Sequence, residues 1–363
     1  MKFKRCMSAI YSSALVLGLS FLLYPQTKAA TVTDSTPTSA VAPTSTPAPD
    51  SPIETSSPVS TPALTKAPDT SYQTLLSSKL TPPIPGVSEI VTSYIESYYS
   101  NDFEATALLV TDSTLLNASL MESNSKNVKR VEDINLYSKP GIDGIFSIVY
   151  ATYSLYYSDL QISVPQFSEY YVKRLPDGSF RIHTVPLSAK TMAVFSEVRQ
   201  TDEVLRLAVS TLIRRYHAAC LSVNETLLKQ CVTDSAYLNL DYIASRYSVT
   251  ESFSNYEFLL YPGINEFDYI AFVTHSEKIV FSETPAPCME SYYISLDKST
   301  GLPSIYLGIT SLDTDAYCAA VIQSDDIQAL AKKTNSDMQE ALLSDDDLKD
   351  FYQLLVSNSS SEK

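Results

Sequence analysis

The chain has no tryptophan, three histidines (His183, His217 and His275) and only eight glycines in 363 residues. So little glycine argues against a Gly-rich phosphate cradle, which needs backbone that can approach its ligand without a Cβ. No Cys-x-x-Cys pair, His-Glu-x-x-His helix or Gly-x-Ser-x-Gly elbow occurs, so the common metal, metalloprotease and serine-hydrolase signatures are missing. The sequence therefore names no catalytic residue, no metal site and no cofactor. Positive charge is also scarce: 26 Lys and Arg face 41 Asp and Glu, a formal charge of -15. Lys2, Lys4, Arg5 and Lys28 lie in the first 30 residues, which hold no acid, so the remainder carries -15 - 4 = -19. Such a body repels phosphate backbones, whose recognition rests on Lys and Arg. Nucleic acid is not an expected partner. What is plentiful is core material, with 25 Tyr, 13 Phe and 44% hydrophobic residues, in a length that holds two or three domains.

The first 29 residues read as an export segment. Lys2, Lys4 and Arg5 form a positive start, an apolar run follows from Met7 to Tyr24, and Thr27-Lys28-Ala29 offers small residues before a cleavage point. The run is also near the minimum length for a bilayer span, so an uncleaved anchor crossing the membrane once is the alternative to a cleaved signal. Residues 30–83 read as a disordered stalk. Between Thr31 and Thr70, 25 of 40 residues are Ser, Thr or Pro and five are charged, too little apolar surface to offset the entropy of ordering. This layout implies an extracytoplasmic protein, secreted or anchored at the cell surface.

Beyond the stalk the chain repeats itself. A shift of 122 residues lays Val110-Thr111-Asp112-Ser113 on Val232-Thr233-Asp234-Ser235, Pro140-Gly141-Ile142 on Pro262-Gly263-Ile264, and Tyr170-Tyr171 on Tyr292-Tyr293. Over residues 110–172 and 232–294, 16 of 63 positions are identical without a gap. A period this long indicates domain duplication rather than a solenoid. Val87, Ile90, Val91, Tyr94, Ile95 and Tyr98 follow the apolar stripe of an amphipathic helix, matched by Val209, Leu212, Ile213, Tyr216, His217 and Cys220. Strand patterns follow at 145–157 and 267–279, where Ile148/Ile270 and Tyr150/Phe272 alternate onto one face. A hairpin closes the first copy at Pro176-Asp177-Gly178, while Asp297–Pro303 replaces that turn in the second.

Helices followed by strands predict an α+β fold of two duplicated domains, each with helices packed on a curved antiparallel sheet. The expected boundaries are 84–195 and 200–316, with a helical acidic tail at 317–363. The helix stripes and the hairpin Tyr170–Ile182 resemble the nuclear-transport-factor-2-like (cystatin-like) superfamily, whose cone-shaped sheet wraps a long helix. That resemblance implies a cavity between helix and sheet, and a fold that serves a few enzymes and many binding or assembly modules.

The copies differ where a site would sit. His217 replaces Ile95, Cys220 replaces Tyr98, and His275 replaces Tyr153. If helix and sheet share a cavity, the second domain gains a polar pocket in which His217 and His275 orient a ligand and Tyr216 and Phe272 form apolar walls. The plainer reading makes both histidines core residues, each satisfied by one hydrogen bond. Cys220, Cys231, Cys288 and Cys318 all fall in the second copy, as two disulfides or as free thiols. The leading expectation is a non-catalytic binding or scaffold module for an unidentified protein or small ligand. The alternatives are a small-molecule or enzymatic pocket in the second domain, and an anchored assembly subunit of an envelope secretion or conjugation machine.

Overall fold

Side-chain caps start most of the short helices, and they recur at the repeat spacing. Asp102 and Asn224 accept the backbone N–H of Ala105 and Leu227; Asp112 and Asp234 accept those of Thr114 and Ala236; Asn117 and Asn239 accept those of Leu120 and Tyr242. Each such cap contributes about 1 kcal/mol and fixes where a helix begins. The computed structural model describes Ser20–Phe21, residues 70–308 and residues 310–360. The expected export segment, apart from Ser20–Phe21, and residues 30–69 of the expected stalk lie outside the described residues. Among the described residues no helix is long and apolar enough to cross a membrane.

The fold is α+β, with two four-stranded antiparallel sheets. After β1 (Ser20–Phe21), the first sheet has the order β2 (Val128–Pro140), β3 (Ser147–Tyr157), β4 (Ile162–Arg174), β5 (Phe180–Ile182). The second runs β6 (Thr250–Pro262), β7 (Asp268–Ile279), β8 (Ala286–Leu296), β9 (Pro303–Ile305), and β1 adds a two-residue parallel pairing to β8. Helices α1 (Thr70–Ser77), α2 (Pro85–Tyr99), α3 (Phe103–Leu108) and α4 (Ala118–Ser125) precede the first sheet, and α5 (Ala189–Arg199) follows it. Helices α6 (Asp202–Leu221), α7 (Glu225–Cys231) and α8 (Leu240–Arg246) precede the second. Helices α9 (Leu312–Ile322), α10 (Asp325–Ser344) and α11 (Asp346–Ser360) come last.

Each sheet buries both faces. On the inner face of the first, Val87, Val91 and Ile95 of α2 meet Val149, Ala151, Tyr153 and Val172. On that of the second, Val209, Ile213 and Tyr216 of α6 meet Ala271, Val273 and Ile294. The opposite face of the first sheet carries Ile148 and Tyr150 beneath Phe195 and Val198 of α5. That of the second carries Ile270 and Phe272 beneath Ile322 of α9 and Ile327 and Ala331 of α10. Both edge strands β2 and β6 break register twice, the second time between Glu132 and Asn135 and between Ser254 and Glu257. Asp133 and Asn255, 122 residues apart, have positive φ there. Such bulges bend and twist a strand.

Helix α6 lies between the sheets: it packs on β6 and β9 of the second and also on β4 of the first. Helix α10 lies on β8 of the second sheet in the corresponding way. Its buried positions Ile327, Ala331, Thr334 and Ala341 stand 123 residues after Val204, Ala208, Thr211 and Ala218 of α6, also buried. Thr211 and Thr334 make the same bond, to the carbonyls of Leu207 and Leu330. The other face differs. Val209, Ile213 and His217 correspond to Lys332, Ser336 and Glu340, all exposed. A helix with no further sheet to cover among the described residues needs no apolar stripe there.

Two expected boundaries move. Residues 70–83 are not stalk: α1 is helical, Leu75 is 1% exposed, and Thr81 bridges Ser138. Average composition misses this because a few apolar residues, Leu75 with Leu76 and Leu80, suffice to dock a short helix. Helix α9 runs across the expected limit at residue 316.

The loop after α6 stores strain. Val223 has φ 48°, whereas Asn101, 122 residues earlier, has φ 59°. A β-branched residue is poorly suited to that region, and asparagine tolerates it. Val223→Asn is therefore expected to stabilise the protein by about 1 kcal/mol, read as a higher denaturant midpoint with unchanged m. A lower midpoint would show that the partly exposed valine contributes more by packing than it costs in backbone energy.

Candidate functional site

Strand pairing decides which side chains share the inner face of the second sheet. Along β7 the parity runs Ala271, Val273, His275, Glu277. Along β8, with Cys288 opposite His275 and Glu290 opposite Val273, it runs Cys288, Glu290, Tyr292. Helix α6 lays His217 over these positions, and β6 contributes Phe253 and Tyr256. The structure thus brings His217 and His275 together, with ring centroids 5.0 Å apart in an edge-on arrangement. His217 is 1% exposed and His275 3%.

The two imidazoles are treated very differently. His217 Nδ1 lies 2.8 Å from the Tyr256 hydroxyl, and its Nε2 lies 2.6 Å from the Tyr292 hydroxyl and 3.1 Å from Glu290 Oε2. Tyr292 donates to the same Glu290 oxygen. Neither nitrogen of His275 has a hydrogen-bond partner. Phe253 and Tyr256 pack against its ring at 5.2 and 5.7 Å. Beside it Glu277 accepts both arms of the Arg246 guanidinium at 3.0 Å, and a bond from Thr250. Cys288 points its thiol at Glu277 from 3.7 Å.

The electrostatics follow from burial. Burial, opposed by the nearby Glu290 carboxylate, pushes His275 down to about 4, so it is neutral at pH 7. Burial alone would raise Glu290, but the His217 hydrogen bond and the neighbouring imidazoles hold its carboxyl well below the usual range. Burial would likewise raise Glu277, and Arg246 with Thr250 brings it below the ordinary value. Burial pushes the Cys288 thiol up. Both carboxylates are therefore ionised at pH 7, and Arg246 forks onto Glu277.

Tyr216 sits beside this cluster, 6.1 Å edge-on from Tyr292 and within the α6 core. Phe272 does not join it. Three residues before His275 on a strand of period two, it points to the opposite face and packs beneath α9 and α10. Sequence reasoning missed Glu290, Glu277, Tyr256 and Arg246. The repeat carried a signal for three of them: Glu290, Glu277 and Tyr256 stand where Ser168, Leu155 and Ile134 occur 122 residues earlier. In the first sheet the same space is filled by Tyr153, whose hydroxyl lies 3.2 Å from that of Tyr99 and 3.0 Å from Ser168 Oγ. Cys220, Cys231, Cys288 and Cys318 are all free thiols.

The rings around His217 and His275 stand at centroid distances of 4.5 to 6.0 Å, ordinary packing contact for aromatics. That leaves no room between them for an organic molecule. On the surface, His275 and Cys288 contribute to the lining of a cleft together with Asn255, Glu257, Lys333 and Asp337. No family model matches the chain, and no curated protein matches it in sequence.

Proposed function

We propose that the chain is an exported, non-catalytic binding or scaffold module carried at the cell surface on a Ser/Thr/Pro-rich stalk. Its body is two copies of one nuclear-transport-factor-2-like unit followed by the opening helices of a third. The observation that carries the non-catalytic reading is the packing of the inner face. An enzymatic pocket needs space beside a reactive group, and the rings around His217 and His275 are in mutual contact. The repeat reading is supported by caps, bulges and positive-φ residues recurring at 122 residues, and by the shared buried positions of α6 and α10. The bulges at Asp133 and Asn255 support a curved sheet. Export is supported by the basic, apolar and small-residue sequence of the first 29 residues.

Trypsin on intact cells tests display. Lys66 is the sole Lys or Arg between residues 31 and 69. Full-length protein made in a secreting cell is expected to be clipped there, releasing a protease-resistant fragment that begins at Ala67. A chain that stays uncut until the cells are lysed would sink the display reading.

A further inference from the structure

We propose that His217, His275 and Glu290 bind a divalent first-row cation of the zinc class inside the second sheet's inner face. The inference does not depend on export or display. Their ligand atoms lie within 4.8 Å of one another, and His217 Nε2 and Glu290 Oε2 are already at 3.1 Å. Zinc bound at about 2.0–2.2 Å in tetrahedral geometry holds its ligands roughly 3.3 Å apart, so side-chain rotation of His275 closes the set. Two imidazoles and a carboxylate are a familiar zinc donor set.

Three observations point to an ion rather than to a hydrogen-bonded core. First, His275 is 97% buried by its 3% exposure, with both nitrogens unpartnered. A buried polar group without a partner is destabilising, and a cation takes one of those lone pairs. Second, Arg246 forks onto Glu277, and the Glu290 carboxylate is met by His217 and Tyr292 with no Lys or Arg bonded to it among the described residues. Third, the surrounding shell is built as ligating histidines require. Tyr256 holds His217 Nδ1 at 2.8 Å, so that Nε2 faces Glu290 at 3.1 Å, and an ion there takes the place of the 2.6 Å contact between Nε2 and the Tyr292 hydroxyl, which still donates to Glu290. The 122-residue comparison agrees: Ile95, Tyr153 and Ser168 occupy the equivalent positions, and there no orphan imidazole arises.

A second set, His275, Glu277 and Cys288, also falls within 4.8 Å. It is the poorer choice, since Arg246 and Thr250 already occupy Glu277 and burial disfavours the Cys288 thiolate.

The test uses the full chain without a histidine tag, stripped with chelator and dialysed. Titration with zinc is expected to give one tight equivalent per chain and a rise in Tm. Cobalt(II) in its place is expected to give the intense visible absorption of a tetrahedral site. Glu290→Gln and His275→Gln should abolish both signals while the circular dichroism stays native. Tyr256→Phe should weaken binding 10–100-fold, as loss of an outer-shell partner does. His183→Gln and Cys288→Ser should leave binding unchanged. Zinc uptake that survives His275→Gln, or wild-type protein that takes up none, overturns the proposal. Loss of uptake in Cys288→Ser moves the site to the second set and overturns this one.

Discussion

Arg199→Ala is expected to cost about 3–5 kcal/mol of stability, the range for stranding one member of a buried ion pair. The Arg199 guanidinium forks onto Glu169 at 2.8 and 2.9 Å, reaches the Tyr171 hydroxyl at 3.1 Å and donates to the carbonyl of Thr300. Both charged side chains are 9% exposed. The arginine therefore ties α5 and β4 of the first sheet to the 297–303 turn between β8 and β9 of the second. That turn is shaped for the contact. Asp297 accepts the N–H groups of Ser299 and Thr300, and Gly301 has φ 69°. A Cβ on Gly301 would come within 3.0 Å of the Ser196 carbonyl oxygen, so glycine is required for the approach. Chemical denaturation reads the result as a lower midpoint at constant m. Arg199→Met combined with Glu169→Gln should recover most of the loss, because removing both charges leaves none uncompensated. A single-variant loss below about 1 kcal/mol would mean that water screens the pair as it does on surfaces.

Phe272→Ala is expected to cost about 3–5 kcal/mol as well, through a cavity rather than a charge. Phe272 is fully buried, edge-on to Tyr261 at 5.9 Å, with Ile270 and Met289 beside it and Ile322, Ile327 and Ala331 above. The cavity opens beneath α9 and α10, so residues 312–360 should become accessible to protease before the sheet unfolds. Zinc affinity at a temperature where the variant remains folded should not change, because Phe272 and the histidines lie on opposite faces of β7. Loss of zinc binding with retained folding would show that the faces are coupled. A loss of stability under about 1 kcal/mol would show that α9 and α10 collapse into the gap.

Much of this was readable from sequence for local reasons. A helix declares itself by the spacing of Val87, Val91 and Ile95, a helix start by Asp102 or Asn224 three residues before the N–H it accepts, and the 122-residue recurrence by its identical residues. The differences between copies also led to His217 and His275, whose polarity is out of place on an apolar stripe. What local pattern does not carry is which strands pair, in what register, and which face each side chain takes. Pairing of β7 with β8 sets Glu290 one diagonal step from His275 and sends Phe272 the other way. Pairing of β6 with β7 sets Tyr256 near His217, 39 positions away in the chain. Burial then assigns the chemistry: the same carboxylates, exposed, would be ordinary surface acids. Composition and periodicity determined the elements and their repetition, because those depend on neighbours three or four residues apart. Only the tertiary structure decided the site and the Arg199 tie, because both depend on contacts whose energy appears once distant strands meet and water leaves.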